Sequence, residues 1–372
     1  LASPPSPQST LEGAAEDATW TPLHRAAYEG DVEAVRAALA DGASPNGRAS
    51  QLGLTPLHLA AAGGHAAAVA ELLNTPGIDV MAADEDEEQL TPVHAAAKCG
   101  HVEVVGLFLD DTRAGVGVNL ATPSGRVTLL HAAASGGAGV GATACVRLLL
   151  ERGATVNALD ATGLTPLAEA ARGANIAVVR VLLAAGADAN ARVLPDSGSG
   201  AGGGDGAEPV GVTPLHLAVF NADTRDAAAV VEALCRAGAA TALADDMGVT
   251  PLHAAVARPR LAGLPADVPP DVATQVGEYR EALTGFLVGI LLRHGAPVNA
   301  RDVTGATPLH FAARNGWGEA VFALLEGGAD AALRDEAGAL PADAAAEANE
   351  PQLAKVLAAA ARGSAGGAPP PK

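Results

Sequence analysis

The four-residue box Thr-Pro-Leu-His recurs at Thr21–His24, Thr55–His58, Thr213–His216, Thr250–His253 and Thr307–His310. Near copies stand at Thr91–His94, Thr128–His131 and Thr165–Ala168, and a worn one, Leu340-Pro341-Ala342-Asp343, is the last. Most boxes begin 33 to 37 residues after the one before, while two intervals stretch to 48 and 57. A period of this length limits the chain to architectures that stack one supersecondary unit on the next. Hydrophobic residues make up 49% of the chain and aromatics only 2%. The core is therefore built of Ala, Leu and Val, which suits closely stacked helices better than one large centre.

Each box predicts a helix start. Thr caps free backbone N–H groups, and Pro fits the first helical position because its missing N–H would have no partner there. An Ala pair follows, as at Ala26-Ala27, Ala60-Ala61 and Ala312-Ala313. A Gly soon after, at Gly30, Gly64, Gly100 and Gly316, predicts a left-handed end to a short helix. A second apolar-periodic stretch comes next, for example Val102–Leu109 or Val178–Leu183. Gly-Ala then returns, and Asn157, Asn190 and Asn299 sit in the turns that close several units.

This pattern resembles the ankyrin repeat, over residues 19 to about 362. The resemblance implies an all-α solenoid of about nine helix-turn-helix units with short β-hairpin fingers. The first unit and the last, which ends in Pro351–Ala361, read as caps. Residues 1–18 and 363–372 are expected to be disordered. Two insertions interrupt the array. The Gly/Ser-rich 194–210 falls where a finger belongs and reads as a flexible loop. Arg258–Arg280 separates the helices of the seventh unit and carries a helical stretch from about Asp271. A smaller swelling covers Ser135–Thr143.

Little in the sequence points to catalysis. No Ser/His/Asp or Cys/His arrangement emerges, and no catalytic, cofactor-binding or metal-ligating residue is assigned. Seven of the ten histidines are His24, His58, His94, His131, His216, His253 and His310, each at the fourth box position. The resemblance gives them a structural role, and one per repeat is too widely spaced to share a metal. Gly137–Ala142 fits the dinucleotide pattern GxGxxA but lacks the preceding strand that pattern needs. Cys99, Cys145 and Cys235 have neither disulfide nor zinc spacing and fit a reducing compartment, cytoplasmic or nuclear. The formal charge of −19 argues against nucleic acid and reads either as solubility alone or as complementarity to a basic protein partner. No apolar run reaches the length of a membrane span. A monomer is expected.

The resemblance implies a non-enzymatic scaffold or adaptor. The alternative is a substrate-recruiting module of a larger enzyme, ubiquitin-ligase receptor or channel. In either case the partner sits on the concave face of fingers and first-helix ends. By register those positions are Tyr28, Glu29, Lys98, Arg172, Phe220, Asn221, Arg314 and Asn315 on the helices, with Asp246 and Met247 on a finger. The acidic run Asp84, Glu85, Asp86, Glu87 and Glu88 at a further finger reads either as a solvated tip or as an electrostatic docking site for a basic partner. Asn157, Asn190 and Asn299 lie eight residues after Leu149, Leu182 and Leu291, a spacing similar to that which asparaginyl hydroxylases recognise in ankyrin hairpins.

Overall fold

A computed structural model describes residues 19–137, 139–193, 211–221, 225–257 and 270–364. Residues 1–18, the insertion 194–210, most of the 258–280 insertion before Pro270, and the tail from 365 lie outside these, and so do the expectations that fell on them. The chain divides into two compact units. Within the described residues the first covers 19–188, and the second covers 189–193 with 211 onward.

The first unit holds five helix pairs. They are α1 (Pro22–Glu29) with α2 (Val32–Ala40), α3 (Pro56–Ala62) with α4 (Ala66–Leu73), and α5 (Pro92–Cys99) with α6 (Val102–Asp110). Two more are α7 (Leu129–Ser135) with α8 (Val140–Glu151), and α9 (Pro166–Arg172) with α10 (Ile176–Ala184). The second unit holds four pairs: α11 (Pro214–Phe220) with α12 (Arg225–Arg236), α13 (Pro251–Ala257) with α14 (Pro270–Arg293), α15 (Pro308–Arg314) with α16 (Gly318–Glu326), and α17 (Pro341–Glu347) with α18 (Pro351–Ser364). Each unit is thus an all-α stack of repeats, with first helices packed on first helices and second on second.

The sequence explains this packing. The Ala pairs are buried in the first-helix stack, with Ala27, Ala60, Ala61, Ala96, Ala97, Ala312 and Ala313 fully enclosed. A larger side chain there would push neighbouring repeats apart. The second helices bury Val35, Val69, Leu72, Val104, Val105, Phe108, Leu149 and Leu182 completely. Burying one such side chain contributes about 2 kcal/mol. No unit could enclose that area alone, so each repeat depends on its neighbours.

Helix ends follow the predicted punctuation. Gly30, Gly64, Gly100 and Gly316 have φ between 72 and 80°, the left-handed turn after the first helix. Gly30 and Gly64 have a second reason to lack a side chain, because a Cβ would collide with the rings of His65 and His101 in the next repeat. Those rings pass Nε2 to the carbonyls of Tyr28 and Ala62, each at 2.8 Å. The long α14 runs for 24 residues and begins within one residue of the expected start.

The fingers differ from the expected short β-hairpins in one respect. Among the described residues they carry only two isolated bridges, Ala49 with Leu54 and Ala121 with Thr128. Several others close through single backbone bonds, such as Asp84 N–H to Leu90 O and Asp302 N–H to Ala306 O. An aspartate side chain supplies what the missing ladder would. Asp160, Asp245 and Asp302 each accept the N–H groups two and four residues ahead at 2.8–2.9 Å. This local bonding competes with strand pairing.

Candidate functional site

The box histidines define the interior of the repeat. In each of the seven boxes that carry His the ring Nδ1 faces the Thr hydroxyl and, in six of them, the Thr backbone N–H as well. For His58 these distances are 2.8 and 3.2 Å. Both neighbours can donate to Nδ1, so the proton resides on Nε2. Nε2–H then donates across to the next finger. His58 reaches Leu90 O at 3.1 Å, His131 reaches Leu164 O at 3.0 Å, His216 reaches Val249 O at 3.0 Å, and His253 reaches Ala306 O at 3.2 Å. His310 makes the same tie to Ala339, whereas His24 reaches Gly47 O, earlier in its finger, at 3.0 Å.

His94 is the exception. Its Nδ1 meets Thr91 Oγ1 at 2.8 Å, but its buried Nε2 lacks a hydrogen-bond partner, the Leu120 and Val127 carbonyls lying nearby without good geometry. Burial holds all seven rings below the ordinary imidazole range, and pushes His58 and His94 down to about 4. These rings are neutral struts at physiological pH.

Reactive groups are similarly absorbed. Cys99, Cys145 and Cys235 are unpaired, and burial pushes their thiols up to about 11, 12 and 11. A protonated, enclosed thiol is a poor nucleophile. No three His, Cys, Asp or Glu side chains among the described residues cluster as metal ligands. No described helix is long and apolar enough to cross a membrane. The Gly-rich segment before α8 has a packing explanation. A side chain at Gly141 would collide with the Gly100 carbonyl, so glycine lets α8 approach the end of α5.

The sequence-assigned surface residues fall into several groups. Arg314 is exposed and lies 6.0 Å over the Phe311 ring. Phe220 and Met247 are 46% and 55% exposed, and Val303 on the next finger is 50% exposed. The Val303 N–H donates to Met247 O at 3.0 Å, which sets these two tips side by side. Asp246 is exposed, 3.9 Å from Arg192. Glu29 is exposed, while Tyr28 is half-buried edge-on against Trp20 at 5.2 Å. Asn221 is exposed and turns its amide back to Leu217 O at 3.3 Å.

Other members are tied into the scaffold. The Asn315 amide donates to the Val256 and Ala257 carbonyls at 2.8 and 3.0 Å, bridging two repeats. Lys98 pairs with Glu88 at 2.7 Å, so one expected contact neutralises another. In the acidic run, Asp84 is a turn acceptor for Leu90 N–H at 2.9 Å, and burial pushes its carboxyl up to about 6. Glu85 lies 3.9 Å from Arg48. Asp86 and Glu87 remain exposed at the tip.

Arg172 forks onto Glu169 at 2.6 and 2.9 Å. Glu169 is 8% exposed, and burial raises its pKa. Its box carries Ala168 where the other boxes that begin with Thr have His. Arg172→Ala is expected to cost about 2 kcal/mol at neutral pH by stranding the buried carboxylate. Adding Glu169→Gln should restore most of that loss, as read from urea midpoints.

The three finger asparagines act between repeats. Asn157, Asn190 and Asn299 accept the N–H groups of Asp188, Ala240 and Asp330 at 2.9, 2.7 and 2.9 Å. None has the left-handed backbone that usually recommends Asn in a turn. Asn46 and Asn119 make equivalent bridges to Asp79 and Thr155, although the sequence pattern did not single them out.

Comparison with known proteins agrees with this architecture. The family model described as "Ankyrin repeats (3 copies)" matches residues 23–122, 81–158, 114–193 and 281–365, more than half of the chain. Human cyclin-dependent kinase inhibitor 2A is 41% identical over 78 residues, 21% of this chain and 50% of that protein. Mouse protein phosphatase 1 regulatory subunit 27 is 37% identical over 67 residues, 18% of this chain and 44% of that protein. The chain therefore spans about half the length of these curated relatives or less.

Proposed function

Since this chain belongs to the ankyrin-repeat family, we propose that it is a non-enzymatic adaptor that binds a partner protein through finger tips and first-helix ends. Ankyrin repeats generally mediate protein–protein interaction, and the two relatives are by name an inhibitor and a regulatory subunit. The observation that carries the proposal is a division of labour. Histidine, alanine and glycine positions are consumed by repeat packing, while Phe220, Met247, Val303 and Arg314 keep large side chains exposed at the surface. Aromatic, Met and Arg side chains supply most interface anchors.

Tyr28 and Glu29 in the first unit, and Phe220, Asn221, Asp246, Met247 and Arg314 in the second, are the proposed contacts. Lys98 and Arg172 contribute as members of ion pairs, and Asn315 through the position it fixes for Arg314. Asp86 and Glu87 at the acidic tip steer a basic partner. Net charge of −19 speeds the encounter and makes it sensitive to salt.

Affinity capture from the native cell with mass spectrometry, at low and high salt, tests this. A stoichiometric protein with a basic surface, retained at low salt and depleted at high salt, is the expected result. Failure to retain any stoichiometric protein at either salt would count against the adaptor role.

A further inference from the structure

Helix α14 is 24 residues long, whereas the neighbouring second helices α12 and α16 have 12 and 9. Its inner side is enclosed, with Leu283, Leu287, Val288 and Leu291 at most 7% exposed. The outer side carries large exposed apolar residues as well. Val272, Tyr279 and Phe286 follow one another at steps of seven and are 41%, 42% and 56% exposed. Ala282 and Gly289 lie on the same stripe, also seven apart. Large residues alternating with small ones at heptad spacing form the seam that one helix presents to another.

The stripe continues onto α16. Gly285 lies against Glu319, and Gly327 against Leu292, so α14 and α16 run side by side in the same direction. That register sets Phe322, 51% exposed, beside the Phe286–Gly289 turn. Scattered single apolar residues on a surface need no explanation, but four on one continuous strip do. Carboxylates rim this strip. Glu278 on α14 and both Glu319 and Glu326 on α16 are exposed. The exposed Arg293 at the end of α14 is already 3.9 Å from Glu232.

We propose that the outer face of α14 and α16 docks an amphipathic helix of a partner protein, apolar along one side and basic along its flanks. The heptad steps select a helix, and the acidic rim selects its charge. A second copy of this chain fits poorly, because it would bring −19 against −19. The surface lies on second helices and is separate from the finger tips.

The probe is a synthetic peptide of about three heptads with Leu at the seam positions and Lys on both flanks. A second peptide carries Glu in place of Lys. Each is fluorescein-labelled and titrated with the full chain by anisotropy. The Lys peptide should bind at least tenfold more tightly than the Glu peptide, and weaken with salt. The double substitution Tyr279→Ser, Phe286→Ser should raise its Kd at least tenfold without shifting the thermal melt, since both residues are exposed. Alanine at Tyr28, Phe220 and Arg314 should leave it unchanged, which separates this surface from the proposed finger site. No binding, equal binding of the two peptides, or indifference to the double substitution overturns the proposal. So does self-association in sedimentation that the double substitution abolishes, because a second copy would then be the occupant.

Discussion

Lowering the pH from neutral to about 4.5 is expected to cost the fold roughly 5 kcal/mol through His58 and His94 alone. Burial holds both rings near 4, below the 6.5 of an exposed imidazole. Between those values the unfolded chain takes up protons that the folded chain refuses. The stability these rings contribute is therefore complete above about 6.5 and is lost as the pH falls toward 4. At pH 4.5 each ring has lost about 2.5 kcal/mol. The geometry gives the reason. A proton on Nδ1 would face the backbone N–H of Thr55, and a charged ring would sit inside the helix stack. Five further box rings are shifted the same way.

Two carboxyl groups oppose the trend. Burial raises Asp84 to about 6 and also raises Glu169. Each is less costly to bury once protonated, so each regains stability as acid is added. Two groups do not offset seven, and a loss of this size approaches the whole stability of a typical domain. Denaturant midpoints measured from pH 7.5 down to 4.5 should fall steadily below pH 6.5. A flat or rising profile would show that the rings are not neutral struts.

The repeat was legible because its determinants are local. Thr-Pro at a helix start, the Ala pair and the left-handed Gly depend on backbone geometry within one unit, so eight boxes beginning with Thr fixed the first helices from Pro22 to Arg314. The ties between units were less visible. Asn46 and Asn119 bridge repeats as Asn157 does, but only geometry shows which N–H each amide reaches. The aspartates that close the fingers look like ordinary polar residues until their bonds to the second and fourth N–H are seen. Asn315 lay at an exposed-looking register position, yet its amide is used by two carbonyls 58 and 59 residues earlier. The run of five acids looked uniform, and folding split it into a half-buried turn acceptor, two residues beside cations and a bare tip. The apolar stripe of α14 was hidden because Phe286–Leu292 scans as a short apolar run, with its inner and outer residues interleaved.

Replacing Tyr28, Phe220 and Arg314 together with Ala is expected to weaken the captured partner at least a hundredfold. Anchors of these types typically contribute 2 kcal/mol or more each, with sums that are not additive, so a hundredfold is a lower bound for three. The fold should tolerate the change. Phe220 is 46% exposed, Arg314 is exposed, and the half-buried Tyr28 loses mainly its edge contact with Trp20. That contact contributes about 1 kcal/mol. The deciding measurement is the Kd of the captured partner for the native chain and for this triple variant, by calorimetry on samples with matching circular dichroism. A loss of a hundredfold or more supports binding through finger tips and first-helix ends; an unchanged Kd would contradict it.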